Sequence, residues 1–280
     1  MSIKRALRRV IEETQCQKIL LPFEGNSWES GAVRAAKEKH ITSVGYQHTA
    51  LPDEMTKLSY EVHEDQLPDY VMTSGAGATD RLISHFQMPE DRLITGVSFR
   101  KNLNLLILPI PEDGYVLVLL QGLDSDRLLM ECITQVLEPI DTRVRVRTHP
   151  ACPIHVSTMF DVSEGTTLEA DISGASICLY GGTSACIEAL LSGVPVIHID
   201  CGLYPSLDPL SFMPPTPLKQ DWHSGQDLKE MIKNMISIDS ARRQEYRVSV
   251  IEFIHYMFTP ATLNNTQELS ERIIQETNLP

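Results

Sequence analysis

Residues 175–200 read ASICLYGGTSACIEALLSGVPVIHID, and most of the fold can be argued from them. Ser176–Tyr180 is a short apolar run, which predicts a strand buried on both faces. It runs into Gly181-Gly182, where missing side chains let a ligand come close to the backbone. Thr183 and Ser184 stand where a helix begins, over Ser184–Ser192. Their hydroxyls and the first N–H groups point outward with the positive end of the helix dipole, an arrangement suited to a phosphate. Gly193 ends the helix and Pro195 opens the next strand, Val194–Ile199. Glu188 lies about one turn inside this helix. Its carboxylate has two readings: a charge that favours the dipole, or an acceptor for two ribose hydroxyls beside the phosphate.

The same strand–helix alternation extends in both directions. Upstream, Tyr115–Leu120 predicts a strand, Ser125–Leu137 a helix, Arg143–Arg147 a strand ending in Thr148-His149-Pro150, and Thr167–Gly174 a short helix. Downstream, Asp227–Ile238, Arg242–Met257 and Thr266–Gln275 read as helices. Nearer the start, strands are expected at Lys18–Phe23, Ile41–Tyr46, Asp69–Thr73 and Leu93–Val97, with helices at Ile3–Glu13, Ser27–Lys39 and Ala78–Phe86. Pro109, Pro111 and Gly114 interrupt the pattern over Leu108–Tyr115. Alternating elements of this kind predict an α/β protein with parallel sheets covered by helices. The expected division is residues 1–108, a partial Rossmann-like unit, and residues 109–280, a second Rossmann-like unit.

Composition narrows the function. The 280 residues are 42% hydrophobic and 22% charged, an ordinary globular balance. The net charge of −13 argues against a grip on long nucleic acid, which needs a basic footprint. A small nucleotide remains open, because backbone amides can hold its phosphates. The six cysteines form no CxxC pair and read as free thiols in a reducing cytoplasm. No secretory leader and no span of about 20 apolar residues is visible. Lys4, Arg5, Arg8 and Arg9 lie on the first helix, as a solvated face or as a peripheral contact with anionic lipid.

The run Gly181-Gly182-Thr183-Ser184-Ala185-Cys186-Ile187-Glu188-Ala189, followed by Gly193-Val194-Pro195-Val196, resembles the donor-binding signature of GT-B glycosyltransferases. The resemblance implies donor-phosphate contact at Thr183 and Ser184, beside Gly181 and Gly182, and ribose contact at Glu188. Arg145-Val146-Arg147-Thr148-His149-Pro150, about 30 residues upstream, resembles the His-Pro element of sialyltransferase, capsule and polyol-phosphate transferase branches. That implies a place for His149 near the donor phosphate; taken alone, His149 reads equally well as a structural histidine. Phe23-Glu24-Gly25-Asn26-Ser27-Trp28-Glu29 with Val44-Gly45-Tyr46-Gln47-His48-Thr49 is similar to bacterial surface-polysaccharide (capsule and lipopolysaccharide) transferases. The fold this implies is GT-B-like, two Rossmann-like parallel-sheet units, with the N-terminal one incomplete relative to the family. The reaction it implies is transfer of a sugar from a nucleotide-sugar donor to a saccharide or lipid-linked acceptor.

Glycosyl transfer needs a base for the acceptor hydroxyl and stabilisation of the departing phosphate. Glu24 and His48 directly follow predicted strands, and ligands of parallel sheets collect beyond the carboxyl ends of strands. Glu24 is the first choice of base and His48 the second; each also reads as a structural hydrogen-bonding group. No metal site and no cofactor are expected. Asp124-Ser125-Asp126 has DxD spacing but opens a helix, where capping explains it. Arg143, Arg145 and Arg147 alternate on one strand face, as a phosphate-facing stripe or a solvated sheet edge, and His198 with Asp200 stands at a strand end. Three other functions stay open: a sugar-nucleotide epimerase, a polyol-phosphate transferase, or a non-catalytic nucleotide-sugar-binding partner or remnant that works with a second polypeptide.

Overall fold

A computed structural model describes residues 3–53, 63–99, 111, 113–137, 143–150, 152, 154–202 and 205–276. Residues 108–110 and 112 of the proline-punctuated stretch lie outside these residues. The chain forms two compact units. One comprises Met1–Leu51, Met55–Asn102 and Ile254–Pro280; the other comprises Pro52–Glu54 and Leu103–Phe253. The residues from Ile254 onward therefore group with the first unit, which a single boundary at 108/109 does not provide for.

In the first unit, helix α1 (Ile3–Thr14) precedes strand β1 (Lys18–Pro22), α2 (Ser27–Glu38) and β2 (Thr42–Tyr46). Strand β3 (Tyr70–Met72), α3 (Ala76–Ser84) and β4 (Leu93–Ile94) follow. The four strands pair in chain order, all parallel. Register assigns the faces, because in-register neighbours share a side. Leu21 and Ile19 of β1 pack with Ala32 and Val33 of α2 and Leu7 of α1. Leu20 pairs with Val44, so Val44, Met72 and Ile94 look to the opposite side. That side is covered by α9 (Leu263–Glu276), whose Leu269 and Ile273 enter the same cluster. At the open edge of β1 the outward N–H positions include Pro22, which has none to offer a foreign strand. In α1, Lys4 and Arg8 pair with Glu38, and Arg9 with Glu13, all acids of the same unit. No described helix is long and apolar enough to cross a membrane.

The second unit begins with β5 (Tyr115–Leu119), α4 (Ser125–Leu137), β6 (Val144–Arg147) and β7 (Asp161–Val162). It continues with α5 (Leu168–Ser173), β8 (Ala175–Tyr180), α6 (Ala185–Leu191), β9 (Val196–Asp200) and β10 (Lys219–His223). Helices α7 (Leu228–Ile236) and α8 (Ser240–Met257) complete it, α8 running on into the first unit's residues. The sheet order is β10-β9-β8-β5-β6-β7, all parallel. Every residue of β5 and β8 is buried, as expected of central strands covered on both faces. Val116, Val118, Ile177 and Leu179 form one face of the core with Leu129 and Ile133 of α4 and Leu228 and Ile232 of α7. Strand order reverses between β5 and β8, so the two lie on either side of a topological switch point.

The α9 contact gives a prediction. Leu269→Ala removes a buried side chain from the first unit's core, for an expected loss of about 2–5 kcal/mol. Urea unfolding followed by tryptophan fluorescence reads it; an unchanged midpoint would mean that α9 does not close this sheet.

Candidate functional site

Leu119, the last residue of β5, is in register with Arg147 of β6 and with Tyr180 of β8. The three connections that follow, 120–124, 148–150 and 181–184, therefore leave the sheet at one level. The first of these is shaped by a buried acid. Asp126, in the first turn of α4, accepts from the backbone N–H of Gln121 (3.1 Å), Gly122 (2.7 Å) and Leu123 (3.3 Å). Gly122 takes a left-handed φ of 84° and lies against the His149 ring; a Cβ there would stand 2.6 Å from His149 Nδ1. On the other side, a Cβ on Gly182 would stand 2.1 Å from Gln121 Oε1 and 2.7 Å from Leu207 Cβ. Gln121-Gly122 is thus wedged between His149 and Gly182. The space left open by Gly182 is filled by the protein's own Gln121 and Leu207, a packing reason for the glycine beside the ligand one.

Beyond this wedge the chain turns into α6. The N-cap position is Ser184, while the hydroxyl that meets the N–H of Ala185 is that of Thr183 (3.3 Å). Glu188 is half-buried one turn further on. The far end of α6 is held by Arg247 of α8, whose Nε donates to the carbonyl of Leu191 at 2.6 Å. His149, Gly181, Gly182, Thr183, Ser184 and Glu188 are thus carried by neighbouring connections of one sheet.

The two base candidates of the first unit also meet. His48 Nε2 lies 3.0 Å from Glu24 Oε1, off the line of a straight hydrogen bond, and the His48 ring stacks on Tyr46 at 5.6 Å. Glu24 is placed by Glu29, a nearly fully buried carboxylate of α2 that accepts from the N–H groups of Glu24 and Asn26, each at 2.8 Å. Asn26 caps α2, because Asn26 and Glu29 form a reciprocal capping box.

Three sequence readings change. The arginines of the stripe each pair with an acid of the second unit. Arg147 Nη1 reaches the buried carboxylate of Asp171 at 2.5 Å, Arg145 Nη1 lies 3.5 Å from it, and Arg143 pairs with Asp161. Burial pushes the Asp171 carboxyl up, but Ser163, Arg147 and Thr166 outweigh that and hold it below the ordinary carboxylate range. Asp126 does more than cap, since it sets the whole connection at Gln121-Gly122. His198 is buried within the sheet, where its Nδ1 lies 3.2 Å from Asp221 and its ring tilts against Tyr180.

His198, Asp208 and Asp221 bring one ligand atom each within 4.8 Å of one another. The ammonium of Lys219 stands among them, 2.9 Å from Asp208 Oδ2 and 2.6 and 2.8 Å from the Asp221 oxygens. A cation is already built into this cluster, which therefore does not read as a metal centre. Burial works against the charged form of Lys219, yet the two carboxylates raise it overall. Burial likewise pushes the Asp221 carboxyl up, and His198 and Lys219 overcome this to bring it to about 2.

No protein-family model matches the chain, and no curated protein matches it in sequence. Solved structures do match. A UDP-GlcNAc 2-epimerase from Methanocaldococcus jannaschii superposes with a TM-score of 0.56 at 12% identity, covering 90% of this chain and 78% of that one. A glycosyltransferase from Rickettsia africae gives 0.56 at 11%, covering 98% and 80%. The lipopolysaccharide outer core galactosyltransferase WaaB gives 0.56 at 12%, covering 98% and 79%. At these identities the likeness is one of fold. The chain has the two-unit parallel α/β fold of GT-B glycosyltransferases and UDP-GlcNAc 2-epimerases, with four strands in one unit and six in the other among the described residues.

The Lys219 cluster sets an acid dependence. Asp221 titrates lower in the folded chain than the ordinary value near 3.9, so its contribution to stability is complete above about pH 4 and is lost as pH falls towards 2. Asp221→Asn should therefore be less stable than the parent at pH 6, with the gap narrowing between about pH 4 and 2. Chemical denaturation at stepped pH measures it; a constant gap would show that the pair with Lys219 is not the source.

Proposed function

We propose that this protein is a glycosyltransferase that moves a sugar from a nucleotide-sugar donor to a surface-polysaccharide or glycolipid acceptor. The observation that carries the reading is the switch point between β5 and β8, at whose carboxyl ends Gln121-Gly122 brings the His149 connection and the Gly181–Ser184 turn together. In this reading Thr183 and Ser184 hold the donor phosphates beside Gly181 and Gly182. His149 donates to a phosphate oxygen, and Glu188 accepts from the ribose hydroxyls. Positive dipole and hydroxyl donors aimed at the departing phosphate stabilise the charge that develops as the glycosidic bond breaks.

The acceptor hydroxyl must lose a proton, a task we assign to Glu24 or His48. A carboxylate and an imidazole 3.0 Å apart form a natural pair for it, one abstracting and the other orienting. The protein itself supplies all these groups, so no cofactor or metal enters the scheme. Six free thiols fit a reducing compartment, and we place the protein in the cytoplasm, with peripheral membrane contact through its lipid-linked acceptor. The fold shared with the M. jannaschii UDP-GlcNAc 2-epimerase favours a second reading, epimerisation of a nucleotide sugar at the same turn. Product analysis after incubation with donor separates the two.

Thermal-shift screening against UDP, GDP, CMP, CDP and dTDP selects the nucleotide. With that nucleotide, Glu188→Ala should bind about ten- to a hundredfold more weakly, since a hydrogen bond to a charged group contributes roughly 1.5–3 kcal/mol. Its stability should fall by only about 0.3–1 kcal/mol, the dipole contribution of an acid near a helix start. Equal affinities by calorimetry would remove the ribose contact. For the other half of the scheme, Glu24→Gln and His48→Ala should each lower the transfer rate, the true base by about 10²–10⁴-fold, with nucleotide affinity retained. Full transfer activity in both would move the base elsewhere.

A further inference from the structure

The segment between β9 and β10 has no helix or strand over residues 205–215, yet it presses Leu207 against Gly182. What fixes it is a buried acid at its centre. Asp208 is 2% exposed, and its Oδ1 accepts from the Tyr180 hydroxyl at 2.8 Å and from the N–H of Leu210 at 2.9 Å. Its Oδ2 takes the Lys219 ammonium at 2.9 Å. These partners come from the last residue of β8, from β10 and from the segment itself. Tyr180 is also the residue directly before Gly181. Asp208 therefore holds the segment to the foot of the turn, while its neighbour Leu207 closes over the top.

Replacing the carboxylate by an amide keeps one oxygen for the Tyr180 hydroxyl and the Leu210 N–H. It also sets an NH2 donor against the buried Lys219 ammonium, which would keep Asp221 alone. The cheapest relief is for the irregular segment to lift, since β8 and β10 are locked in the sheet. Lifting it withdraws Leu207 from Gly182 and frees the turn to reorient its amides.

We propose that Asp208 is a positioning residue: it clamps residues 205–211 so that Leu207 holds the Gly181–Ser184 turn in one orientation. The consequence for a ligand rests on the reading of that turn as the donor-phosphate site. The clamp itself is a property of the chain alone and is measured separately.

Hydrogen exchange with mass spectrometry on the full chain, without ligand, reads the clamp. In Asp208→Asn, amides 181–186 and 205–211 should exchange about tenfold faster or more, while the first unit and β6 keep their rates. Tyr180→Phe, which keeps the ring and deletes one donor, should shift the same amides by less and guards against misfolding of the first variant. In a Leu207→Gly background Asp208→Asn should add nothing at 181–186. Unchanged exchange at 181–186 in both single variants overturns the clamp, and so does a uniform rise across the second unit, which would make Asp208 a general stabiliser. UDP, GDP, CMP, CDP and dTDP are the binding probes: about tenfold weaker binding of the one that binds in Asp208→Asn, matched by weakening in Ser184→Ala, supports clamp and ligand reading together. If exchange rises locally but Ser184→Ala leaves that binding unchanged, or the parent chain binds none of the five, the clamp stands and the ligand reading of the turn falls.

Discussion

Where a parallel strand ends, its ladder stops, and the turn that follows must find new partners for its amides. In both units the first such turn is solved in one way. A carboxylate from the first turn of the next helix reaches back, Glu29 to Glu24 and Asn26, and Asp126 to Gln121, Gly122 and Leu123. Each acid is nearly fully buried, and each stays tolerable because several N–H groups meet its charge. Much else depends on these two carboxylates. Glu29 fixes the residue that puts Glu24 beside His48. Asp126 fixes the wedge that puts His149 and Gly182 on either side of Gln121-Gly122.

The charge distribution follows the same economy. The chain carries an excess of acid, yet the cations inside the second unit are each matched to a specific acceptor. Arg147 serves Asp171, Lys219 serves Asp208 and Asp221, and Arg247 serves the end of α6. A buried pair of this kind is poor evidence of added stability, because desolvation offsets its attraction. Its effect is positional. These contacts tie α5 to β6, the 205–211 segment to β10, and α8 to the end of α6, so the second unit is framed by charges whose partners are already chosen.

How much of this was legible depends on how strongly a residue's type betrays its surroundings. Strands such as β5 and β8 announce themselves as unbroken apolar runs, and the turn at Gly181–Ser184 is visible because glycine and hydroxyl residues there have few other uses. Strand β10, KQDWH, has one buried side chain, Trp222, and no alternation to read; β7 is two exposed residues held only by β6. The β6 arginines looked like a basic face because their partner, Asp171, lies more than twenty residues away and joins them only through the packing of α5. Glu24 and His48 were each readable as strand-end residues. Their contact was not, since it depends on the register that sets Pro22 opposite Tyr46. Gln121 gave no signal at all: glutamine is ordinary in a loop, and only the close approach to Gly182 marks it.

The return of α9 to the first unit bears on the order in which the protein can be made. Val44, Met72 and Ile94 emerge from synthesis well over 150 residues before Leu269 and Ile273, which cover them. The second unit has all its strands and most of its helices by Phe253 and can consolidate while the first still shows one apolar sheet face. Domains usually fold in the order they are translated. Here the unit translated first is the one finished last, and for most of its synthesis it is the half that needs shielding from chance partners.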